Sequence, residues 1–192
     1  MCDFRIFFAL VGLVLLKLVS GSAQCPEVVS RQSWGARPQQ RHGWGSLAVP
    51  AAYVIVHHTR TPKCTTRRNC EKMVRSLQNV HMKYNGRDDI GYNFLIGEDG
   101  NIYEGVGWNR AVTNIPSYDR DSLHIAVMGD YTSTLPDEKV LDAMKRLIQC
   151  AVSRSTIDVN YQVFGHRQVE LDDCPGTRLL QEIKKWPDWG YY

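Results

Sequence analysis

Within residues 164–176 the chain sets His166 and Cys174 eight positions apart, in a segment with no helical period that closes on the turn signal Pro175-Gly176. An imidazole and a thiolate are donors of the kind zinc takes, although histidine and cysteine are also packed into ordinary cores. A third ligand has to come from elsewhere in the chain. The obvious source is His57-His58, which ends the run Tyr53-Val54-Ile55-Val56. Those β-branched residues predict a buried strand that delivers a side chain at its C-terminal end.

Whether Cys174 is available to a metal depends on the compartment and on the other cysteines. Residues 1–23 combine Arg5, an apolar run over 6–16 and the small residues Ser20, Gly21, Ser22 and Ala23, the pattern of a secretory signal peptide cleaved before Gln24. Lys17 and the short apolar length speak against a retained membrane anchor. Cys25, Cys64, Cys70, Cys150 and Cys174 then remain, in a chain bound for an oxidising space. Two disulfides absorb four of them, and the fifth is a reactive thiol or a metal ligand. Cys64 and Cys70, six apart around a turn, are the natural short-range pair. Cys25 with Cys150 can then staple the N-terminal arm to a helix, which leaves Cys174, the one with a histidine nearby.

Residues 24–192 suffice for one domain with a full core. Losing residues 1–23 removes Asp3, Arg5 and Lys17 and leaves a balance of +2. That is too little to indicate nucleic acid, and no long basic run supports it. The sequence shows no internal repeat, low-complexity tract, linker or second apolar segment able to span a bilayer, and it fixes no oligomeric state.

The elements that must position the candidate ligands follow from periodicity. Residues 24–50, rich in Gly, Arg, Gln and Trp, read as an irregular arm anchored by Trp34 and Trp44. A strand over 53–58 leads through the Cys64 turn to an amphipathic helix with Cys70, Met73, Val74, Leu77, Val80, His81 and Tyr84 on one face, ended by Asn85-Gly86. Strands are predicted over 92–96 and 102–104, joined by a Glu98-Asp99-Gly100-Asn101 turn, and over 123–128 and 161–165. Pro136 and Asp137 open a helix whose stripe is Val140, Leu141, Met144, Leu147, Ile148, Ala151 and Val152, with Cys150 just off it. A last helix covers 179–183, with Trp186 beyond it. The result is a single α/β domain, a central mixed β-sheet flanked by helices with an irregular N-terminal arm. His57 and His166 both fall at strand ends, where such sheets place ligands.

Five separated motifs carry a resemblance. Arg31-Gln32-Ser33-Trp34-Gly35-Ala36, Val54-Ile55-Val56-His57-His58-Thr59, Asp89-Ile90-Gly91-Tyr92-Asn93-Phe94, Tyr103-Glu104-Gly105, and Gly165-His166-Arg167 with Cys174-Pro175-Gly176 agree in order and spacing with the peptidoglycan recognition proteins. The chain resembles that family over essentially all of 24–192. The family in turn resembles phage-type amidases, zinc enzymes that cut the bond between N-acetylmuramic acid and the L-alanine of the stem peptide. Members that keep the zinc ligands are amidases, and those that lose the Cys only bind and signal.

The resemblance implies a Zn2+ held by His57, His166 and Cys174, with a fourth position left for water as in catalytic sites. It makes Tyr92 the catalytic tyrosine, able to hold the attacking water or stabilise the oxyanion; from the residues alone Tyr92 is a strand tyrosine packed on its neighbours. Asp172 stands where the amidases carry Thr and the phage-type relatives Lys. An ionised Asp only accepts hydrogen bonds and repels developing negative charge. Beside Asp173 it can instead act as a general base, or be a solvated loop acid.

The family's groove maps onto His58, Thr59, His81, Asn85, Gly86, Arg87, Tyr92 and Asn114, although a lone histidine such as His81 on an apolar helix face is more often a core residue. Gly86-Arg87 stands where members preferring diaminopimelate stems carry Gly-Trp and members preferring Lys stems carry Asn-Phe. Gly leaves room for the extra carboxylate of diaminopimelate, and Arg87 can pair with it. Asn114 replaces a family His. His42 and His124 have no evident partner and read as surface and structural respectively. The implied protein is a secreted, extracellular innate-immunity factor that binds bacterial peptidoglycan, of diaminopimelate type, and hydrolyses it. Two other classes stay open: a non-catalytic peptidoglycan receptor or bactericidal wall-binding protein, and a disulfide-stapled secreted domain whose Cys174 is merely buried. Zinc content separates the last from the others.

Overall fold

A computed structural model describes residues 24–40 and 45–191. The segment over 1–23 expected to be a signal peptide, Trp44 and His42 lie outside the described residues. The elements run β1 (Val28–Val29), α1 (Arg31–Trp34), β2 (Ala51–His58), α2 (Arg67–Lys83), β3 (Phe94–Ile96), β4 (Ile102–Glu104), β5 (Ser122–Val127), α3 (Glu138–Ser153), β6 (Ile157–Gly165) and α4 (Thr177–Ile183). The sheet order is β1-β4-β3-β5-β2-β6. Only β3 and β4 pair antiparallel, through the predicted hairpin, so the sheet is mixed.

The two central strands, β2 and β5, are buried along most of their length, which is why they read as continuous apolar runs. Alternation divides their side chains between two cores. Val54, Val56, Leu123, Ile125 and Val127 pack with Val140, Met144, Leu147 and Ile148 of α3 and Leu179 and Ile183 of α4. Ala126 and Met128 join Leu95, Tyr103, Trp34 and the α2 residues Val74 and Leu77 on the opposite face. Each fully buried aliphatic contributes about 1.5–3 kcal/mol.

The arm is not irregular throughout. Ser30 caps α1 by accepting the Ser33 amide at 3.2 Å, and Gly35 ends it at φ 73°, in the left-handed region that glycine tolerates. Val28 and Val29 extend the sheet beside β4. Trp34 is wholly buried and its indole donates to the Glu104 carbonyl at 2.8 Å. The buried Gln78 of α2 clamps the arm by accepting the Arg37 amide (2.8 Å) and donating to the Arg37 carbonyl (3.1 Å).

Three further expectations need correction. Val80 and Tyr84, expected on the apolar face of α2, are exposed, because the face that meets the sheet runs through Cys70, Val74, Leu77 and Gln78. The strand expected over 92–96 begins only at Phe94, since the Asn93 carbonyl takes the amides of both Gly105 and Gly107 and so interrupts the ladder. Strand β6 starts at Ile157, four residues earlier than expected; its first half is a sheet edge whose Asp158, Val159 and Asn160 stay partly or fully exposed, so no apolar run announced it. Disulfides join Cys25 to Cys150 and Cys64 to Cys70, and Cys174 is free and buried. No helix among the described residues is long and apolar enough to cross a membrane.

Candidate metal centre and binding cleft

Strand β2 ends in His57 and His58, and alternation sends His57 to the α2 face of the sheet. Strand β6 runs beside it and ends at Gly165, so that His166, opening a short 3-10 turn, arrives 4.7 Å from the His57 ring, centroid to centroid. The Arg167 amide donates to the Cys174 carbonyl at 2.8 Å, closing the loop that brings Cys174 back. Gly176 seats that loop. It has φ 88°, and a Cβ there would lie 2.5–2.7 Å from the backbone of Tyr131 and Thr132, so no other residue fits.

One ligand atom each from His57, His166 and Cys174 lie within 4.8 Å of one another. Both imidazoles already use Nε2. That of His57 is 3.0 Å from Nδ1 of His124, and that of His166 is 2.8 Å from Oε2 of Glu170. This leaves the two Nδ1 atoms and the sulfur. The His57 Nδ1 is 3.7 Å from Cys174 Sγ, about the separation two ligands keep on one tetrahedral zinc with Zn–N near 2.0 Å and Zn–S near 2.3 Å. The His166 Nδ1 is buried with no hydrogen-bond partner, an orphan that a metal would satisfy. Burial holds the His57 pKa well below its usual value, with the neighbouring histidines adding to the effect, so the ring is neutral and able to ligate. Burial also pushes the Cys174 thiol up to about 12, a shift that a cation beside the sulfur opposes. Two nitrogens, one sulfur, outer-shell partners on both rings and an open side are a set that fits zinc.

A cleft of about 400 Å³ opens over these three side chains, and it collects most of the residues that the sequence nominated: His58, Thr59, His81, Asn85, Arg87, Tyr92, Asn114 and Asp172. Gly86 is displaced into an adjoining hollow with Asn85, Arg87 and Thr113. It has φ +64° and nothing within 4 Å of a built Cβ, so the turn, not crowding, asks for glycine there. Tyr92 lies 5.3 Å from the His57 ring and 5.5 Å from His81. Burial, reinforced by Cys174, raises its pKa well above the ordinary phenol range, so its hydroxyl stays a donor. His81 accepts the Gly91 amide at 2.9 Å and is held neutral by burial, at about 4. Arg87 donates to the Thr113 carbonyl and Asn114 to that of Gly91, so both cleft walls are braced. His58 faces two donors, the Tyr131 amide at Nδ1 and Arg60 Nε at Nε2, each at 3.2 Å. A neutral imidazole accepts at one nitrogen only, so one of these contacts is a packing contact.

Asp172 lies on the rim. Its Oδ1 accepts from Arg60 Nη2 at 2.8 Å and from the Cys174 amide at 2.9 Å. Burial raises its pKa, but the Cys174 amide and Arg60 outweigh that and hold the carboxyl below the usual range. Sequence reasoning missed three residues here: Arg60, Glu170 and His124. The i, i+4 spacing of His166 and Glu170 was a visible signal. His124 was read as structural and without a partner, and that reading is corrected by its contact with His57, which depends on two strands 67 residues apart in the chain.

A family model described as N-acetylmuramoyl-L-alanine amidase matches residues 48–177. Peptidoglycan-recognition protein 1 of Holotrichia diomphalia is 41% identical over 167 residues, spanning 87% of this chain and 84% of its own. The chain belongs to this amidase family, among its peptidoglycan-recognition proteins. Two solved members overlay it closely. Human PGRP-IBETAC in complex with glycosamyl muramyl pentapeptide has a TM-score of 0.83 at 38% identity, covering 87% of this chain and 100% of that one. Peptidoglycan recognition protein LE in complex with tracheal cytotoxin, a monomeric diaminopimelic acid-type peptidoglycan, has a TM-score of 0.83 at 34% identity, covering 85% and 95%. The mixed sheet flanked by helices is thus the fold of this family.

Proposed function

We propose that this family member is a secreted innate-immunity protein that binds bacterial peptidoglycan in the cleft and hydrolyses the bond between N-acetylmuramic acid and L-alanine with zinc. The observation that carries the reading is the convergence of His57, His166 and Cys174, with both Nε2 atoms engaged and the His166 Nδ1 left orphaned. His57, His166 and Cys174 would hold the ion. Bound there, zinc supplies Lewis acidity toward the amide carbonyl and makes water nucleophilic at neutral pH.

The protein's own groups do the rest. Tyr92, kept protonated by burial, donates toward charge developing on the amide oxygen. The walls formed by His81, Asn85, Arg87 and Asn114 orient the stem peptide, so the scissile bond is presented in one register. Arg87 and the open turn at Gly86 favour a stem with the additional carboxylate of diaminopimelate. Secretion is supported by the two disulfides, which persist in oxidising compartments.

One observation favours a second reading, a peptidoglycan receptor without turnover: the rim beside Cys174 carries the carboxylate of Asp172, an acceptor at a place where the reaction calls for a donor. Incubating the protein with peptidoglycan and zinc decides between them. Release of stem peptides bearing a free L-alanine amino terminus is expected; wall binding without release establishes the receptor.

A further inference from the structure

Resting on the zinc reading above, we propose that His124 is a positioning residue that holds His57 in the tautomer presenting Nδ1 to the metal. The placement comes from register. Strands β2 and β5 pair in parallel with Ile55 opposite His124 and His57 opposite Ala126, so His57 and His124 are diagonal neighbours on one face. Their rings stack with 5.2 Å between centroids and 21° between planes, and His57 Nε2 meets His124 Nδ1 at 3.0 Å.

The backbone of His124 is fixed as well. Its amide donates to Asn93 Oδ1 at 2.9 Å, while the Asn93 side-chain nitrogen donates to the carbonyls of Gly107 and Arg110, each at 2.8 Å. The ring is entirely buried. It has no freedom to leave His57 without disturbing the centre of the sheet.

Proton counting gives the pair its consequence. Each neutral imidazole carries one N–H, and one proton lies between the two rings. If His57 donates it from Nε2, its Nδ1 is a bare lone pair beside Cys174 Sγ and can ligate. If His124 donates it from Nδ1, the proton of His57 sits on Nδ1 and blocks the ligand position. Metal binding selects the first arrangement, in which His124 serves as the acceptor that orients the ring and raises its basicity.

His124 is not there for stability. Its Nε2 is buried with no hydrogen-bond partner in either arrangement. An unsatisfied polar atom in a core is destabilising, and an apolar residue at this position would avoid it. A side chain that costs stability but completes the coordination of a ligand is accounted for by the site.

The test compares the parent protein with His124→Leu, which removes the acceptor, and His124→Asn, whose side-chain oxygen can take the place of Nδ1. Zinc affinity is read by competition with a chromophoric chelator, cobalt substitution reports the coordination sphere, and thermal unfolding of the metal-free proteins reports the fold. The Leu variant is expected to bind zinc about 10–100-fold more weakly, with altered cobalt absorption, and to unfold metal-free at or above the parent temperature. The Asn variant is expected to recover most of the affinity. A Leu variant with parental zinc affinity and cobalt spectrum overturns the proposal alone, as does one that loses stability along with zinc while Asn restores neither. A parent protein that takes up no zinc overturns both this proposal and the zinc reading.

Discussion

Arg60 Nη2 and the Cys174 amide converge on one oxygen of Asp172, at 2.8 and 2.9 Å. Arg60 reaches it from a left-handed backbone, φ 53°, unusual for a residue with a side chain. The ion pair is half exposed, so it adds only about 0–1 kcal/mol to stability. Its consequence is local. Asp172 orders the loop before the candidate ligand, and Arg60 offsets its negative charge at the rim of the cleft.

Replacing Asp172 separates these effects. Asp172→Asn and Asp172→Thr both keep an oxygen to accept the Cys174 amide, and Thr adds a donor. Turnover at or above the parent rate is expected in both, with Thr ahead, since one well-placed donor to an oxyanion is worth roughly 100-fold or more elsewhere. Loss of turnover in both variants, measured side by side, would show that the carboxylate transfers a proton. Arg60→Ala should slow the parent by leaving Asp172 uncompensated.

Cys174→Ser removes the thiolate from the three-residue set. We expect loss of stoichiometric zinc and of L-alanine-terminated products, with retention of peptidoglycan binding, because the cleft walls come from other elements. Metal analysis and a wall pull-down on the same preparation check it. Parental hydrolysis by this variant rules out the ligand assignment.

Glu170, four residues after His166 and beyond the 3-10 turn, holds its Nε2 at 2.8 Å. Glu170→Ala should weaken zinc binding by about 10–100-fold, and Glu170→Gln, which keeps an acceptor, by less. Chelator competition measures both. Equal affinity in all three proteins would mean that the contact does not tune the site.

The two disulfides close loops of very different size, with partners 125 and 6 positions apart in the sequence. By loop-closure entropy, loss of Cys25–Cys150 should cost about 5 kcal/mol and loss of Cys64–Cys70 about 2 kcal/mol. Denaturant melts of paired Cys→Ser variants give the comparison. The short bridge ties the loop after β2 to the first turn of α2, so its removal should weaken muramyl-peptide binding more than its effect on stability suggests.

Much of this was legible in the chain. Buried strands announce themselves by β-branched runs, and helices α2 and α3 by an apolar face. The ligand candidates stood out because the His57-His58 pair, His166 and Cys174 are metal donors at a strand end or a turn, and because cysteine arithmetic left Cys174 unpaired; the family resemblance chose His57 from the pair. Short or edge elements were not legible: β1 and α1 are too brief to show a period, and the first half of β6 carries polar residues to solvent.

The sequence by itself determined the strands that end in the candidate ligands and the five motifs that tie the chain to its family, because those depend on residue type and local spacing. Tertiary structure alone decided which residue backs each ligand. The register of β5 on β2 put His124 against His57, and the return of loop 167–174 onto β2 set Arg60 against Asp172. Contacts of this kind join residues 67 and 112 positions apart, and no local periodicity encodes them. They arise only when parallel strands pair and side chains compete for the same few ångströms of buried space.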